Sequence, residues 1–176
     1  LEVMKNFKLK LNSGFTLIEL ILALGVFMVV MTITMSAFLN IIDIQKKTEA
    51  FRKVNDNLNF AMEAMMREIR EGKNYSSVDC SGADFCFTDK DGALIKYQLN
   101  GGGYIERQMS SGSWIRLTSD GIKIANLSFS IRGNIANDKQ QPLVTIAISG
   151  ESGIKEKLKS RLNLQATVSQ RKLDPL

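Results

Sequence analysis

The chain has 176 residues, of which 44% are apolar and 23% charged, with only two prolines. This composition predicts one folded domain, or one domain with an appendage, and excludes a disordered chain or a proline-rich linker. The absence of histidine excludes Ser-His-Asp and Cys-His catalytic arrangements and zinc sites built on imidazole. We predict no catalytic residue, metal site or cofactor, although a catalytic pair of carboxylates from distant strands stays an open alternative.

The formal net charge is +5 at pH 7, and part of it lies at the start, where Lys5, Lys8 and Lys10 outnumber Glu2. The later Lys and Arg residues are scattered and mostly stand near Asp or Glu. A nucleic-acid-binding surface needs clustered cations with interleaved stacking aromatics. The linear sequence lacks such a cluster, so nucleic acid is not predicted as the primary partner.

Residues 20–39 form a run of twenty residues without a formal charge. A helix of that length covers about 30 Å, which is enough to span the hydrocarbon core of a bilayer. The preceding lysines favour a cytoplasmic N-terminus and an external C-terminal part. A cleaved secretory signal peptide is the competing interpretation, but its apolar region is normally shorter and ends at a small-x-small site.

The apolar run continues into an amphipathic helical pattern. Gly72 is a natural stop, so we predict one helix over residues 15–71. The first part of this helix needs lipid or other chains around it, and the second part is expected to pack on its own domain. The residues predicted to form the apolar face are Ile44, Phe51, Val54, Leu58, Ala61, Met62, Met65 and Ile69.

Glu19 is an acidic residue inside an otherwise apolar stretch, where an ionised side chain costs free energy in a membrane. One explanation is structural, because Thr16 and Glu19 have the spacing of a capping box at a helix start. The other is functional: cleavage between Gly14 and Phe15 would leave a new α-amino group one helical turn from Glu19. In an assembly, this carboxylate would then pair with the N-terminus of another subunit.

After Gly72 the sequence alternates with period two between turn residues, which predicts an antiparallel sheet. One side of the sheet is expected to pack on the apolar face of residues 51–69, which gives an α+β domain. The predicted strands are 84–87, 93–99, 104–109, 114–118, 122–132, 143–149 and 161–169.

Three features of the sheet domain invite functional interpretations. For Cys80 and Cys86, a structural disulfide is favoured over a redox switch or a metal pair. The segment 89–92 is predicted to be a β-turn, since a calcium loop needs more oxygen ligands. The aromatic residues Tyr97, Tyr104 and Trp114 are expected to form cross-strand pairs, not a recognition surface.

The Lys-rich start, Gly14, the run FTLIE at residues 15–19 and the apolar helix resemble the class III signal of type IV pilins and type II secretion pseudopilins. The resemblance spans residues 5–39, about a fifth of the chain. It implies that a prepilin peptidase in the inner membrane cuts after Gly14 and methylates the amino group of Phe15. It also implies that Glu19 neutralises the N-terminus of a neighbouring subunit and guides it into a growing filament.

The resemblance further implies a non-enzymatic subunit, anchored in the bacterial inner membrane with its C-terminal domain outside and then moved into a pilus or pseudopilus. Its partners would be membrane lipid, the peptidase, the inner-membrane assembly platform, and other minor and major pilins. The helix from residue 51 to 70 and the strand 164–171 resemble a J-type minor pseudopilin, and no proline kinks the helix, unlike in many major pilins.

Two alternatives remain open at this point. One is a single-span periplasmic binding or enzymatic module whose helix merely tethers it, and the other is a minor pilin for DNA uptake. The sequence does not distinguish secretion, motility and DNA uptake. The predicted segments are a leader at 1–14, a membrane and assembly helix at 15–39, an amphipathic helix at 40–72 and a sheet domain at 73–176.

Overall fold

The computed structural model describes residues 14–78, 80–134, 140–153 and 156–171. It shows one long helix followed by antiparallel strands, so the predicted α+β class is confirmed. By their contacts, the residues fall into two units that meet between Ile42 and Asp43. The predicted leader lies outside the described residues except for Gly14, and the division into four segments stays a prediction.

Helix α1 spans Leu17–Glu71, so it begins two residues later than predicted and ends where predicted. Its last carbonyl groups are bonded to the rest of the domain. The Tyr75 hydroxyl lies 2.7 Å from the carbonyl oxygens of Ile69 and Gly72, which share its one proton. Arg171 N–H donates to the Arg70 carbonyl at 2.8 Å. These bonds satisfy groups that a helix C-terminus leaves without intrahelical partners.

The strands form two antiparallel sheets, not the single sheet that we predicted. Sheet A has the order β1-β2-β3-β4-β5 and sheet B the order β6-β7-β8. Ile124 N–H in β6 donates to the Gly103 carbonyl in the β3–β4 turn at 2.9 Å, which links the two sheets. The strands are β1 Lys73–Ser76, β2 Phe85–Thr88, β3 Leu94–Leu99, β4 Ile105–Met109, β5 Ile115–Arg116, β6 Ile122–Arg132, β7 Leu143–Ser152 and β8 Ser160–Ser169.

Two strand predictions were wrong in a way that pairing explains. Strand β1 was missed because its short polar sequence lacks an alternating pattern, and it is defined by pairing with Thr88 and Cys86. Strand β5 is shorter than predicted. The Thr118 hydroxyl accepts from Ile105 N–H at 3.2 Å and so takes the place of a strand carbonyl.

The core lies between the second part of α1 and the inner faces of both sheets. Its centre is an aromatic cluster in which Phe129 of sheet B stacks on Phe85 of sheet A at 4.4 Å between ring centroids. Met62 and Met65 are core residues, as expected. Ile44 and Phe51 are not, because they are 64% and 46% exposed. The buried residues of α1 are Ala50, Val54, Leu58, Ala61, Met62, Met65 and Ile69.

Candidate functional site at the start of the helix

The six residues from Gly14 to Glu19 hold the predicted site in one short segment. Gly14, Phe15 and Thr16 precede the helix without regular secondary structure. A β-carbon at Gly14 would have no heavy atom within 4 Å, and the Phe15 side chain is 77% exposed. Among the residues that the structure describes, none therefore packs closely against Gly14, and the Phe15 side chain is largely uncovered.

Thr16 caps the helix. Its hydroxyl accepts from Glu19 N–H at 3.3 Å, and its carbonyl accepts from Leu20 N–H at 3.2 Å. This is the half of the capping box that we predicted for the threonine side chain. The hydrogen bonds among the described residues do not include the reciprocal one, from Thr16 N–H to the Glu19 carboxylate.

The Glu19 side chain is exposed and lies four residues after Phe15, in the first turn of α1. Within residues 14–78 and the other described ranges, no Lys or Arg nitrogen lies within 4.0 Å of it. The cap uses the backbone N–H of Glu19 and leaves the side chain available for another partner. The structural and functional explanations of this residue are therefore compatible.

The helix that follows is suited to lipid. Every residue from 14 to 41 is exposed, and α1 is long and apolar enough to cross a membrane. Its hydroxyl groups bond to carbonyls one turn earlier: Thr32 to Met28 at 2.8 Å and Ser36 to Thr32 at 3.2 Å. These hydroxyl groups are satisfied inside the helix, and Glu19 is the one charged side chain in residues 17–42.

Residues 9–35 match the family model described as the prokaryotic N-terminal methylation motif. The chain carries an N-terminal methylation motif. The motif supports a type IV pilin-like or pseudopilin-like protein. It covers less than a sixth of the chain, and it includes Gly14, Phe15 and Glu19. No curated protein and no solved structure matches the chain.

The methylation motif and the exposed apolar helix are together consistent with a membrane-anchored protein. Cleavage after Gly14, methylation of Phe15 and the pairing of Glu19 with another subunit stay predictions. So do the orientation in the membrane and the J-type assignment.

The predicted disulfide between Cys80 and Cys86 is present, with 5.5 Å between the Cα atoms. Cys86 pairs with Lys96 in the β2–β3 register, so it lies on the face of sheet A that points away from the aromatic core. Both cysteines are buried. The bridge therefore fixes the connection between β1 and β2 against the outer face of sheet A.

The segment 89–92 is a turn, as predicted. The Asp89 carboxylate accepts from the backbone N–H groups of Asp91 at 2.9 Å and Ala93 at 2.8 Å. Gly92 has φ of 88°, a left-handed conformation that glycine adopts without strain. The carboxylate is thus used in closing the hairpin.

Sequence reasoning missed a polar cluster that joins the helix to sheet A. The Tyr97 hydroxyl donates to the Glu68 carboxylate at 2.7 Å, and Arg107 Nε donates to the same oxygen at 2.8 Å. Tyr97 is fully buried, and its pKa is raised by that burial and then by the bond to Glu68. The cluster is structural, since it satisfies the polar end of a core tyrosine.

Tyr104 and Trp114 are the other two aromatic residues for which cross-strand pairs were expected. The Arg116 guanidinium lies over the Tyr104 ring, 3.5 Å from its centroid, and Trp114 is half-buried.

Proposed function

We propose that this chain is a non-enzymatic minor subunit of a type IV pilus or type II secretion pseudopilus. It is inserted in the bacterial inner membrane through the first part of α1, with the sheet domain on the outer side. A prepilin peptidase cuts after Gly14 and methylates Phe15. The mature chain then joins minor and major pilins at the assembly platform, and among the known subunit types we assign it to the J-type minor pseudopilins.

The observation that carries this proposal is the exposed Glu19 side chain in the first turn of α1, at the start of a long apolar segment and four residues after Phe15. A side chain that served only to anchor a domain would be apolar at this position, because a charge disfavours insertion. The amino group created by cleavage supplies the opposite charge when another subunit is adjacent. Transfer of the helix from lipid to a bundle of similar helices then depends mainly on packing and on this pair.

The test of the processing step is mass spectrometry of the protein extracted from membranes. We expect a mass that begins at Phe15 and carries one added methyl group. Gly14→Ala should retain the leader while the sheet domain keeps its stability, since the change affects only the peptidase substrate. An intact leader in the wild-type protein would contradict the proposal.

The test of the assembly step compares Glu19→Gln with Thr16→Val. Glu19→Gln removes the charge and should lower incorporation into filaments about tenfold, because a buried partner charge is left unpaired. Thr16→Val removes the cap, worth about 1 kcal/mol of helix stability, but keeps the carboxylate, and should assemble nearly normally. Equal assembly of both variants would contradict the pairing role of Glu19. Normal function after replacement of residues 15–39 by another apolar helix would favour a simple membrane tether.

A further inference from the structure

Strand β8 lies at the edge of sheet B, and its register with β7 shows which of its backbone groups point outward. Gln170 N–H donates to the Pro142 carbonyl at 3.0 Å, which extends the β7–β8 register by one pair. In an antiparallel ladder, hydrogen-bonded and non-hydrogen-bonded pairs alternate along the strand. The residues whose N–H and C=O groups point away from β7 are therefore Arg161, Asn163, Gln165, Thr167 and Ser169.

The next residue in this outward series shows where the open edge ends. Arg171 N–H donates to the Arg70 carbonyl at the end of α1, so the helix itself covers the edge at that point. Within the part of the chain that the structure describes, the hydrogen bonds include none to the outward backbone groups of residues 161–169. These groups are left for water or for the backbone of another chain.

The edge of β8 also lacks the features that usually protect a long sheet edge, which are a charge, a proline, a bulge or a short strand. The edge strands β1 and β5 of sheet A have only four and two residues, and β6 has an irregularity between Ile124 and Asn126. Strand β8, in contrast, has ten residues in an uninterrupted register. Residues 162–169 contain neither a charge nor a proline, so this edge is open to strand addition.

The core face of sheet B is covered less well at β8 than at its neighbour β7. On this face, the apolar residues of β7 are at most 2% exposed, whereas the three central ones of β8 are only partly buried. The β7 residues are Val144, Ile146 and Ile148, and the β8 residues are Leu162, Leu164 and Ala166. A further strand with apolar side chains at alternate positions would cover the β8 row.

The direction of α1 beside β8 argues against a second copy of this chain as that strand. The Ser160 hydroxyl at the start of β8 donates to the Lys47 carbonyl at 3.1 Å, and Arg171 after its end bonds Arg70, so α1 and β8 run in the same direction. Antiparallel pairing of two β8 edges would orient the two helices in opposite directions, which two chains anchored in one membrane cannot adopt. Parallel pairing would turn the copy over and place its polar face beside the apolar row.

We propose that the edge of β8 binds an extended segment of a different protein chain, which adds to sheet B as a fourth strand. The segment runs antiparallel to β8, like the other strands of this sheet, and its backbone bonds to residues 161–169. Its apolar side chains lie beside Leu162, Leu164 and Ala166. This inference goes beyond the proposed function, and only the argument against a second copy uses the membrane anchor.

The first experiment measures amide hydrogen exchange by NMR in the full chain in detergent micelles. Without a ligand, the amides that bond to β7 should exchange about a hundredfold more slowly than the outward amides. The bonded set is Leu162, Leu164, Ala166 and Val168, and the outward set is Asn163, Gln165 and Thr167. Slow exchange of both sets would overturn the inference, because the edge would already be covered in the isolated protein.

The second measurement adds a peptide with the sequence of β7, LVTIAISGES, in which apolar and polar residues alternate as an added strand requires. The peptide should slow the exchange of the outward amides at least about tenfold and leave the amides bonded to β7 unchanged. A peptide of the same composition in scrambled, non-alternating order should have little effect. Unchanged exchange with the β7 peptide would overturn the inference.

Two variants of Gln165 provide a matched control. Gln165 lies opposite Ala147 in a non-hydrogen-bonded pair, so Gln165→Pro removes an outward N–H and keeps the bonds to β7. It should abolish protection by the peptide, whereas Gln165→Val keeps the N–H and should retain protection. Should Gln165→Pro fold poorly, Thr167→Lys places a charge on the same edge and should weaken the protection.

A disulfide cross-link between two copies that carry Gln165→Cys, formed in membranes without other proteins, would also overturn the inference, because the occupant would then be a second copy. An intact leader, or normal assembly of Glu19→Gln, would contradict the proposed function and leave the exchange measurements unchanged. Failure of the proposed function and failure of this inference are therefore distinguishable.

Discussion

The residues of α1 before and after the boundary at Ile42 share one backbone conformation but have different surfaces. Before it, every described residue to Ile41 is exposed, charge is absent after Glu19, and hydroxyl groups bond back to the helix. After it, one face is buried and the other carries charges. The first part of the helix thus has apolar side chains on all sides, which suits an apolar environment. The second part is amphipathic, with one face that packs in a protein core.

The largest expected effect distinguishes these two surfaces directly. Leu58 is fully buried, and Leu22 is 67% exposed. Leu58→Ala should lower the free energy of unfolding of the sheet domain by about 2–5 kcal/mol, while Leu22→Ala should change it by less than about 0.5 kcal/mol. The measurement is denaturant unfolding in detergent, followed by Trp114 fluorescence. Equal effects of the two variants would contradict the comparison.

The second effect tests the polar contact between α1 and sheet A. Glu68→Leu leaves the buried Tyr97 hydroxyl without its acceptor and Arg107 without its partner, and should cost about 2–3 kcal/mol of unfolding free energy. Glu63→Leu, at an exposed position of the same helix, is the matched control. Adding Tyr97→Phe to Glu68→Leu should recover part of the lost unfolding free energy, because no buried hydroxyl is then left without an acceptor. If the losses of the two single variants simply add in the double variant, the hydrogen bond between Tyr97 and Glu68 does not contribute to stability.

The third effect concerns a part of the sheet domain remote from the helix. Replacing both Cys80 and Cys86 by Ser should lower the unfolding free energy by about 2 kcal/mol, since so short a loop restricts the unfolded chain only modestly. Ser77→Ala is a control in the same connection. Thiol titration of the untreated protein should find no free thiol, and two free thiols would refute the disulfide.

The smallest effect is a pH dependence confined to the sheet domain. Burial raises the pKa of Tyr75 from 10.0 to about 12, and burial with the bond to Glu68 raises that of Tyr97. A raised pKa stabilises the fold below the unfolded value, and this contribution is lost as pH rises through the folded value.

We therefore expect the unfolding free energy to fall between about pH 10 and pH 12. Tyr75→Phe should make that fall shallower, because it removes the tyrosine whose pKa is raised to about 12. The slopes are compared, and not the absolute values, because Tyr75→Phe also removes the bonds to Ile69 and Gly72.

The features that were predictable from the sequence are those encoded locally. The methylation motif that matches residues 9–35 lies in one short segment, and α1 ends at Glu71, just before the Gly72 that was predicted to stop it. The long strand β6 also has its predicted bounds, because its alternation is regular. The disulfide was predicted from two cysteines separated by a short loop and from the expectation that this part of the chain lies in an oxidising compartment.

The features that were missed depend on contacts between distant residues. The Tyr97–Glu68–Arg107 cluster joins residues 29 and 39 positions apart, and no local pattern marks it. The division into two sheets is likewise set by tertiary packing. Phe51 fits the periodicity of the buried face, but its exposure depends on where the sheets end, which periodicity does not report.

The junction of α1 with the sheet domain has little room for movement. A β-carbon on Gly72 would lie 2.3 Å from the Phe87 ring, and the last carbonyls of the helix are bonded to Tyr75 and Arg171. A hinge at this point would require an aromatic ring to leave the core and several hydrogen bonds to break together. A pulling force applied to the helix would therefore be transmitted directly to the strands, because the connection at Gly72 cannot bend without breaking these contacts.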